Sequence, residues 1–518
     1  MELVVAANGY QESLSMPTRR QVSIQLAAAG AALLSPTQAL STGEGEGYEI
    51  GEWTGDSFAP MHAIRDGVWD RPLPSPERQV EVVIIGAGIA GLAIATLLGD
   101  FDLLLLERET EPGGNAKAKS WRGVSHALGS AYFVDVSEPF GSFYDGLGLR
   151  LPRVPEPVDR ALMDAPGSPD ALIGSLKVPY ERLRRHIAAV ADNPDFPSLP
   201  IEKATASALA FDRITLLEYL KREQVDPALF AFIDAFSCSS LGAGADQVSA
   251  YAGLNFLSDL TRPVYGFPGG NAFIVRAMAE RVESAGAGRL MTGAAVFGIE
   301  PAENGLTRVG WFDALRSREP RCITARWVVL AAPLFFSARI LRGAGSELSS
   351  ACAGLSQGSY LVASLCFDGA FPIRAYDSWT PGNPAFTDII DTAAAPSVGS
   401  GSMTKRVLTV YAPFRDPAQG RALLLSGDRA ALAKPIVAGM KRFLPEAFAD
   451  ARLSEVRLTR WGHQPLIPRP GIISRLRKLP KRYGNVLLAH SDGQAMPAVE
   501  SAIIEALRVA AIIRRDRR

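Results

Sequence analysis

Three glycines within six residues, Gly86, Gly88 and Gly91, follow directly on the apolar run Val82-Val83-Ile84-Ile85. Gly86 permits a tight turn off a strand. Gly88 lets backbone N–H groups approach a pyrophosphate, and Gly91 lets a helix pack closely on that strand. A phosphate would sit at the positive end of the helix, so the whole turn from Gly86 through Ile89 and Ala90 to Gly91 is a candidate contact. A second apolar run, Leu103 to Leu106, ends on Glu107. It lies about twenty residues past the turn, where a carboxylate can accept from an adenosine ribose. Strand, glycines, helix, strand and acid in that order are the chemistry of dinucleotide binding.

The chain continues Arg108-Glu109-Thr110-Glu111-Pro112-Gly113-Gly114-Asn115. An acid, a basic residue and then a Gly-Gly loop resemble the FAD-binding extension of the flavin amine oxidase and phytoene desaturase superfamily. Asn115 stands where that pattern commonly has a basic residue. The resemblance implies FAD, with Arg108, Gly113, Gly114 and Asn115 among its contacts; with no cysteine near Asp492, the cofactor is expected to be non-covalent. It also implies that Gly129, Ser130 and Ala131 run past the isoalloxazine ring. His126, the titratable group of that stretch, reads more readily as a structural histidine.

Two further segments match the superfamily more loosely. Pro268-Gly269-Gly270 opens a helix and precedes a strand over Leu290 to Ile299, which makes Val296 a candidate backbone contact to adenine. Near the end, Asn485 to Ala489 reads as a buried strand, followed by Ser491-Asp492-Gly493 and a helix from Ala498 to Ile513. Here Asp492 would bond cofactor hydroxyls, and the Val499 N–H at a positive helix end would face the flavin pyrimidine. Pro497 suits the first turn of that helix. Trp461, with His463 two residues on, is the candidate substrate-side pair: an aromatic wall and a hydrogen-bonding or proton-accepting group. The lysine that many amine oxidases hold near the flavin has no evident counterpart; Lys405 lacks local support.

These residues need a scaffold. The expected fold is α/β: an FAD-binding Rossmann-like domain built from residues 78–135, 260–345 and 450–518, plus an α+β substrate domain with a mixed sheet from 136–259 and 346–449. Helical periodicity marks Asp212 to Glu223 and Phe230 to Phe236, and alternation marks strands over Tyr360–Phe367, Phe386–Ile390 and Arg406–Tyr411. A helix is expected over 434–447, with Pro435 at its start. At 518 residues, two or three domains are expected.

Composition narrows the function. The chain is 47% hydrophobic and 21% charged, and its 54 Lys+Arg balance its 54 Asp+Glu. No global field points to nucleic acid or an anionic membrane. The four cysteines form no CxxC and the five histidines no HxxxH, so no metal site is expected. Thr18-Arg19-Arg20 precedes an apolar run from Val22 to Leu34, too short to span a membrane and suited to a twin-arginine signal within residues 1–40. That implies export to the periplasm or beyond; a short amphipathic or disordered extension is the alternative. Residues 41–77 read as a surface linker. Together these features predict an FAD-dependent oxidoreductase acting on a small molecule, most readily an amine or amino acid, with oxygen or another electron acceptor. A desaturase-like C–C dehydrogenase or isomerase on an apolar substrate, and a non-catalytic nucleotide-binding protein, are the other readings.

Overall fold

The expected strand at Val82–Ile85 extends over Gln79–Ile85 and lies inside a sheet, with Val82, Val83 and Ile84 completely buried. Burying each such side chain contributes about 1.5–3 kcal/mol. The computed structural model describes residues 41–42, 47–163, 169–315, 319–343, 345–372, 374–396 and 404–517. The expected signal segment, residues 1–40, lies outside them, and Thr42–Arg518 form one compact unit.

Leu290–Met291, Leu103–Leu106, Gln79–Ile85 and the long strand Pro320–Leu330 run parallel in that order. Pro320–Leu330 also serves two further partners. Its first half pairs antiparallel with Thr307–Asp313, which in turn pairs with Ala294–Pro301, and its last residues pair parallel with Val486–Leu488. Apolar strands buried on both faces are what a parallel sheet under helices requires. Helices Ile89–Leu97, Ala272–Ser284 and Val499–Arg517 supply that cover through one apolar cluster. Three segments far apart in sequence thus build one Rossmann-like layer.

The second sheet is mixed. Glu49–Ile50 pairs parallel with Ala451–Trp461, which is antiparallel to Tyr360–Gly369; then come Lys405–Pro413, Asp388–Asp391 and Asp377–Trp379, each antiparallel to the last, and finally Asp159–Ala161, which is parallel. The period of two decides what each face does. Leu361, Ala363, Leu365 and Phe367 pack beneath helix Arg429–Phe443, whereas Tyr360 and Val362 point to the opposite face, with Tyr411 and Trp461. Within the stretch expected as a linker, Glu49–Ile50 and Thr54–Gly55 hydrogen-bond to strand Ala451–Trp461, and Trp69 stacks on Phe312 at 3.8 Å.

The strand expected over Leu290 to Ile299 is two, Leu290–Met291 and Ala294–Pro301, and the helix expected from Asp212 begins at Leu216, capped by Thr215. Two prolines also sit differently from expectation. Pro435 lies inside helix Arg429–Phe443; the start is set by Asp428, whose side chain accepts from Ala431 N. Pro497 lies ahead of helix Val499–Arg517 rather than in its first turn. No described helix is long and apolar enough to cross a membrane.

Candidate active site

A cavity of about 730 Å³ runs along the C-terminal ends of the parallel strands. That is within the usual range for a cofactor cleft. Its floor is backbone. Gly86 sits at φ +100°, and a Cβ there would meet Ala331 O at 2.8 Å. A Cβ on Gly91 would lie 1.9 Å from Gly86 O, so the helix can approach the turn only without a side chain. Helix Ile89–Leu97 has no side-chain cap at Gly88, which leaves its first N–H groups free for an anion. Glu107 is 6% exposed; its Oε2 accepts from Ala87 N at 2.8 Å and its Oε1 from Glu109 N at 2.9 Å. The acid therefore braces the glycine turn as well as lining the cavity. Uncapped helix, glycine floor and buried acid fit a dinucleotide.

The two other cofactor-side segments meet the same cavity. Val296, Asn115, Gly113, Gly114, Asp492 and Val499 all line it. Asp492 Oδ2 accepts from Leu334 N at 2.9 Å, so the C-terminal motif holds the turn after strand Pro320–Leu330. Arg108 also reaches the cavity, but its guanidinium is engaged by Asp56 at 2.7 Å and Ser57 O at 2.9 Å. The stretch expected as a linker thus supplies one rim of the cleft.

The loop Leu128–Tyr132 is held from both sides. Trp461 Nε1 donates to Leu128 O at 2.7 Å, Tyr411 OH donates to Gly129 O, and Tyr376 OH donates to Ala131 O at 3.3 Å. Trp461 and Tyr411 lie on strands of the mixed sheet, and Tyr376 immediately precedes one. From the other side, Asn271 Nδ2 donates to Ser130 Oγ at 2.7 Å and to Tyr132 O at 2.9 Å. The Pro-Gly-Gly turn therefore buttresses this loop as well as opening a helix.

Of the sequence candidates, Gly91 is a packing position rather than a lining one, and Gly129 and Ala131 face a second cavity. Ser130 and Trp461 line both. His463 lines the larger cavity against Phe335, with ring centroids 5.3 Å apart. Burial, then the Arg421 charge, pulls its pKa down to about 4, so the ring is neutral near pH 7. His126 is fully buried, with Nδ1 2.9 Å from Ser364 Oγ, and burial lowers it to about 4 as well; its role is structural. Lys405 lies at the far end of its strand and lines neither cavity. Cys352, remote from Asp492 in sequence, sits behind the same turn, its Sγ 3.6 Å from Leu334 O. The four cysteines are unpaired, and no group of His, Cys, Asp and Glu among the described residues is arranged to hold a metal ion.

The second cavity, about 180 Å³, opens from the larger one past Ser130, Trp461 and Val499. Its floor is the face of the mixed sheet turned away from helix Arg429–Phe443, where register aligns Val362, Tyr411, Asp388 and Trp379 in one row. Asp377, Asp259 and Glu500 complete an acidic lining that contains no Lys, Arg or His among the described residues. Sequence reading missed these four carboxyls. Asp388, an acid within the β-rich run Phe386–Ile390, was the available signal.

The description "NAD(P)-binding Rossmann-like domain" fits residues 84–147. No curated protein matches the chain. Among solved structures, putrescine oxidase bound to putrescine superposes with a TM-score of 0.64 at 18% identity, over 84% of this chain and 99% of that one. Cyclohexylamine oxidase from Brevibacterium oxydans gives 0.63 at 18%, over 84% and 99%. A fatty acid isomerase from P. acnes gives 0.62 at 15%, over 83% and 98%. The chain shares the fold of these amine oxidases and of the isomerase.

Proposed function

We propose that this protein is an FAD-dependent oxidoreductase that oxidises a small amine. One observation carries the reading: a cleft built for a dinucleotide meets, at Ser130, Trp461 and Val499, a small cavity walled by aromatic rings. In this reading the glycine turn and helix Ile89–Leu97 hold the pyrophosphate, and Glu107 and Val296 the adenosine end. Asp492 and the start of helix Val499–Arg517 hold the ribityl and pyrimidine end. Bound non-covalently, FAD supplies the hydride acceptor.

The chain's own part is to position and desolvate. The substrate's α-carbon gives up a hydride and its nitrogen a proton, forming C=N. Bound FAD would supply the two-electron acceptor, with dioxygen or another acceptor as the terminal oxidant. That transfer requires a neutral amine, and among the described residues no Lys, Arg or His lines the second cavity. Trp461 and Tyr411, fixed by their bonds to the Leu128 and Gly129 carbonyls, hold the wall still. A long apolar substrate suits this cavity poorly, because acids occupy its floor.

The test is anaerobic bleaching of the purified yellow protein against amines, amino acids, fatty acids and polyenes. Bleaching by amines supports the reading; turnover of a polyene or fatty acid with no bleaching by any amine overturns it. We further propose export through the Arg19-Arg20 leader, which N-terminal sequencing of the mature protein would test; an intact Met1 or Met16 would contradict it.

A further inference from the structure

The acids of the second cavity are hard to reconcile with the reacting nitrogen. An amine poised to lose a hydride must be neutral, whereas buried carboxylates select a cation. Asp377 and Asp388 are each almost completely buried and stand on neighbouring antiparallel strands, with Asp388 opposite Trp379 and Asp377 opposite Ile390. Asp388 Oδ1 accepts from Thr387 Oγ1 at 2.6 Å. Asp377, only 2% exposed, has no hydrogen-bond partner on Oδ1. A buried carboxyl oxygen left without a donor is costly unless something else fills that role. Asp159 lies behind the pair, its Oδ1 bonded to Trp379 Nε1 at 2.8 Å.

The other two acids of the cavity differ. Glu500 Oε1 accepts from Asp135 N at 3.0 Å and Val134 N at 3.3 Å, a backbone partnership that leaves it structural. Asp259 stands on a different wall, in the turn Ser258–Thr261. The unmet acceptor is therefore at the sheet end of the cavity, with Tyr411 beside Asp388 in the same row, and Trp461 and Val499 border the larger cleft.

We propose that Asp377 and Asp388 hold the non-reacting ammonium of a diamine or polyamine whose other, neutral amine faces the cofactor cleft; this rests on the amine oxidation proposed above. An ammonium carries three donors, enough for the free Asp377 Oδ1 and for Asp388 together. The aromatic wall between would accept the intervening methylenes. The cavity volume is that of about six waters, which suits a short aliphatic chain. Burial, and then Asp388 and Asp159, push the Asp377 carboxyl far above its ordinary range, while burial raises Asp388 to about 7. Without a cation both carboxyls are therefore biased toward their protonated form. A bound ammonium would expel those protons.

The experiment uses the FAD-loaded full chain and two amines of equal length, cadaverine and pentylamine. Anaerobic flavin reduction gives the half-saturating concentration of each, and titration calorimetry in buffers of different ionisation heat gives binding and protons released. Cadaverine should act at concentrations about 10- to 100-fold below pentylamine, as expected for a charged hydrogen-bonded contact. Each amine sheds one proton to face the cleft neutral, so cadaverine should release more protons on binding than pentylamine does. Asp377→Asn should shrink the cadaverine-to-pentylamine ratio to a few-fold, and Asp388→Asn should shrink it less. The wild-type comparison stands even where a variant loses its flavin. Equal handling of the two amines overturns the inference while leaving amine oxidation intact. Cadaverine that binds more tightly than pentylamine and releases more protons, without bleaching the flavin, supports the inference and sinks amine oxidation. Neither binding nor bleaching overturns both.

Discussion

The two cavities meet, yet they are made of different material. The larger is lined where it matters by backbone: a glycine turn, an uncapped helix start, and an acid whose oxygens accept from Ala87 and Glu109 N–H groups. The smaller is lined by side chains carried on separate strands and helices, aromatic on its walls and acidic on its floor. A surface of N–H groups recognises what is common to every dinucleotide, whereas a surface of side chains can be changed one residue at a time. The contrast places shared chemistry in the first cavity and individual specificity in the second.

The contrast breaks most completely at Gly91. Gly91→Val should cost about 3 kcal/mol or more, because its Cβ would collide with Gly86 O at 1.9 Å and neither backbone can yield. Soluble yield and flavin content of the purified variant would check this; a yellow variant that melts like wild type would refute the packing argument.

The seam between the sheets is tested by pH. In the unfolded chain an imidazole titrates near pH 6.5, whereas His126 in the fold is held at about 4 by burial and the Arg457 charge. Between those values the unfolded chain takes up a proton that the folded chain refuses. The contribution is complete above about pH 6.5 and falls by up to about 3 kcal/mol as the pH drops through that window. Urea midpoints measured across it for wild type and His126→Gln should show a shallower pH slope in the variant.

Smaller effects sharpen the comparison. Asp492→Ala removes the acceptor for Leu334 N and should cost about 1–2 kcal/mol, together with weaker retention of the cofactor. Thermal melting and the flavin-to-protein ratio after gel filtration report the two losses separately. Tyr411→Phe removes only the donor to Gly129 O and should cost about 1 kcal/mol while leaving flavin content unchanged. Equal flavin loss in both variants would erase the distinction between the cavities.

The same division explains what could be read in advance. Gly86, Gly88, Gly91, Glu107, Gly113 and Gly114 are legible because backbone chemistry demands particular residues at fixed local spacing. The strands at Tyr360–Gly369 and Lys405–Pro413 are legible through alternation. Asp377 and Asp388 are not, since their meeting depends on the register between strands that sequence alone leaves open. Arg108 shows the same limit: its position matches a cofactor contact, but its partner Asp56 comes from a stretch that reads as a linker. Pro435 misleads for a local reason, because a well-capped helix can carry a proline beyond its first turn.

Trp461, Tyr411 and Tyr376 bond successive stretches of one loop, Leu128 to Ala131, from the opposite sheet. Each of those bonds would have to break for the two sheets to swing apart. A clamshell opening therefore costs about 3 kcal/mol in these bonds alone. Local movement of side chains around the clefts escapes that cost, and turnover should be insensitive to cross-links that tie the two halves together.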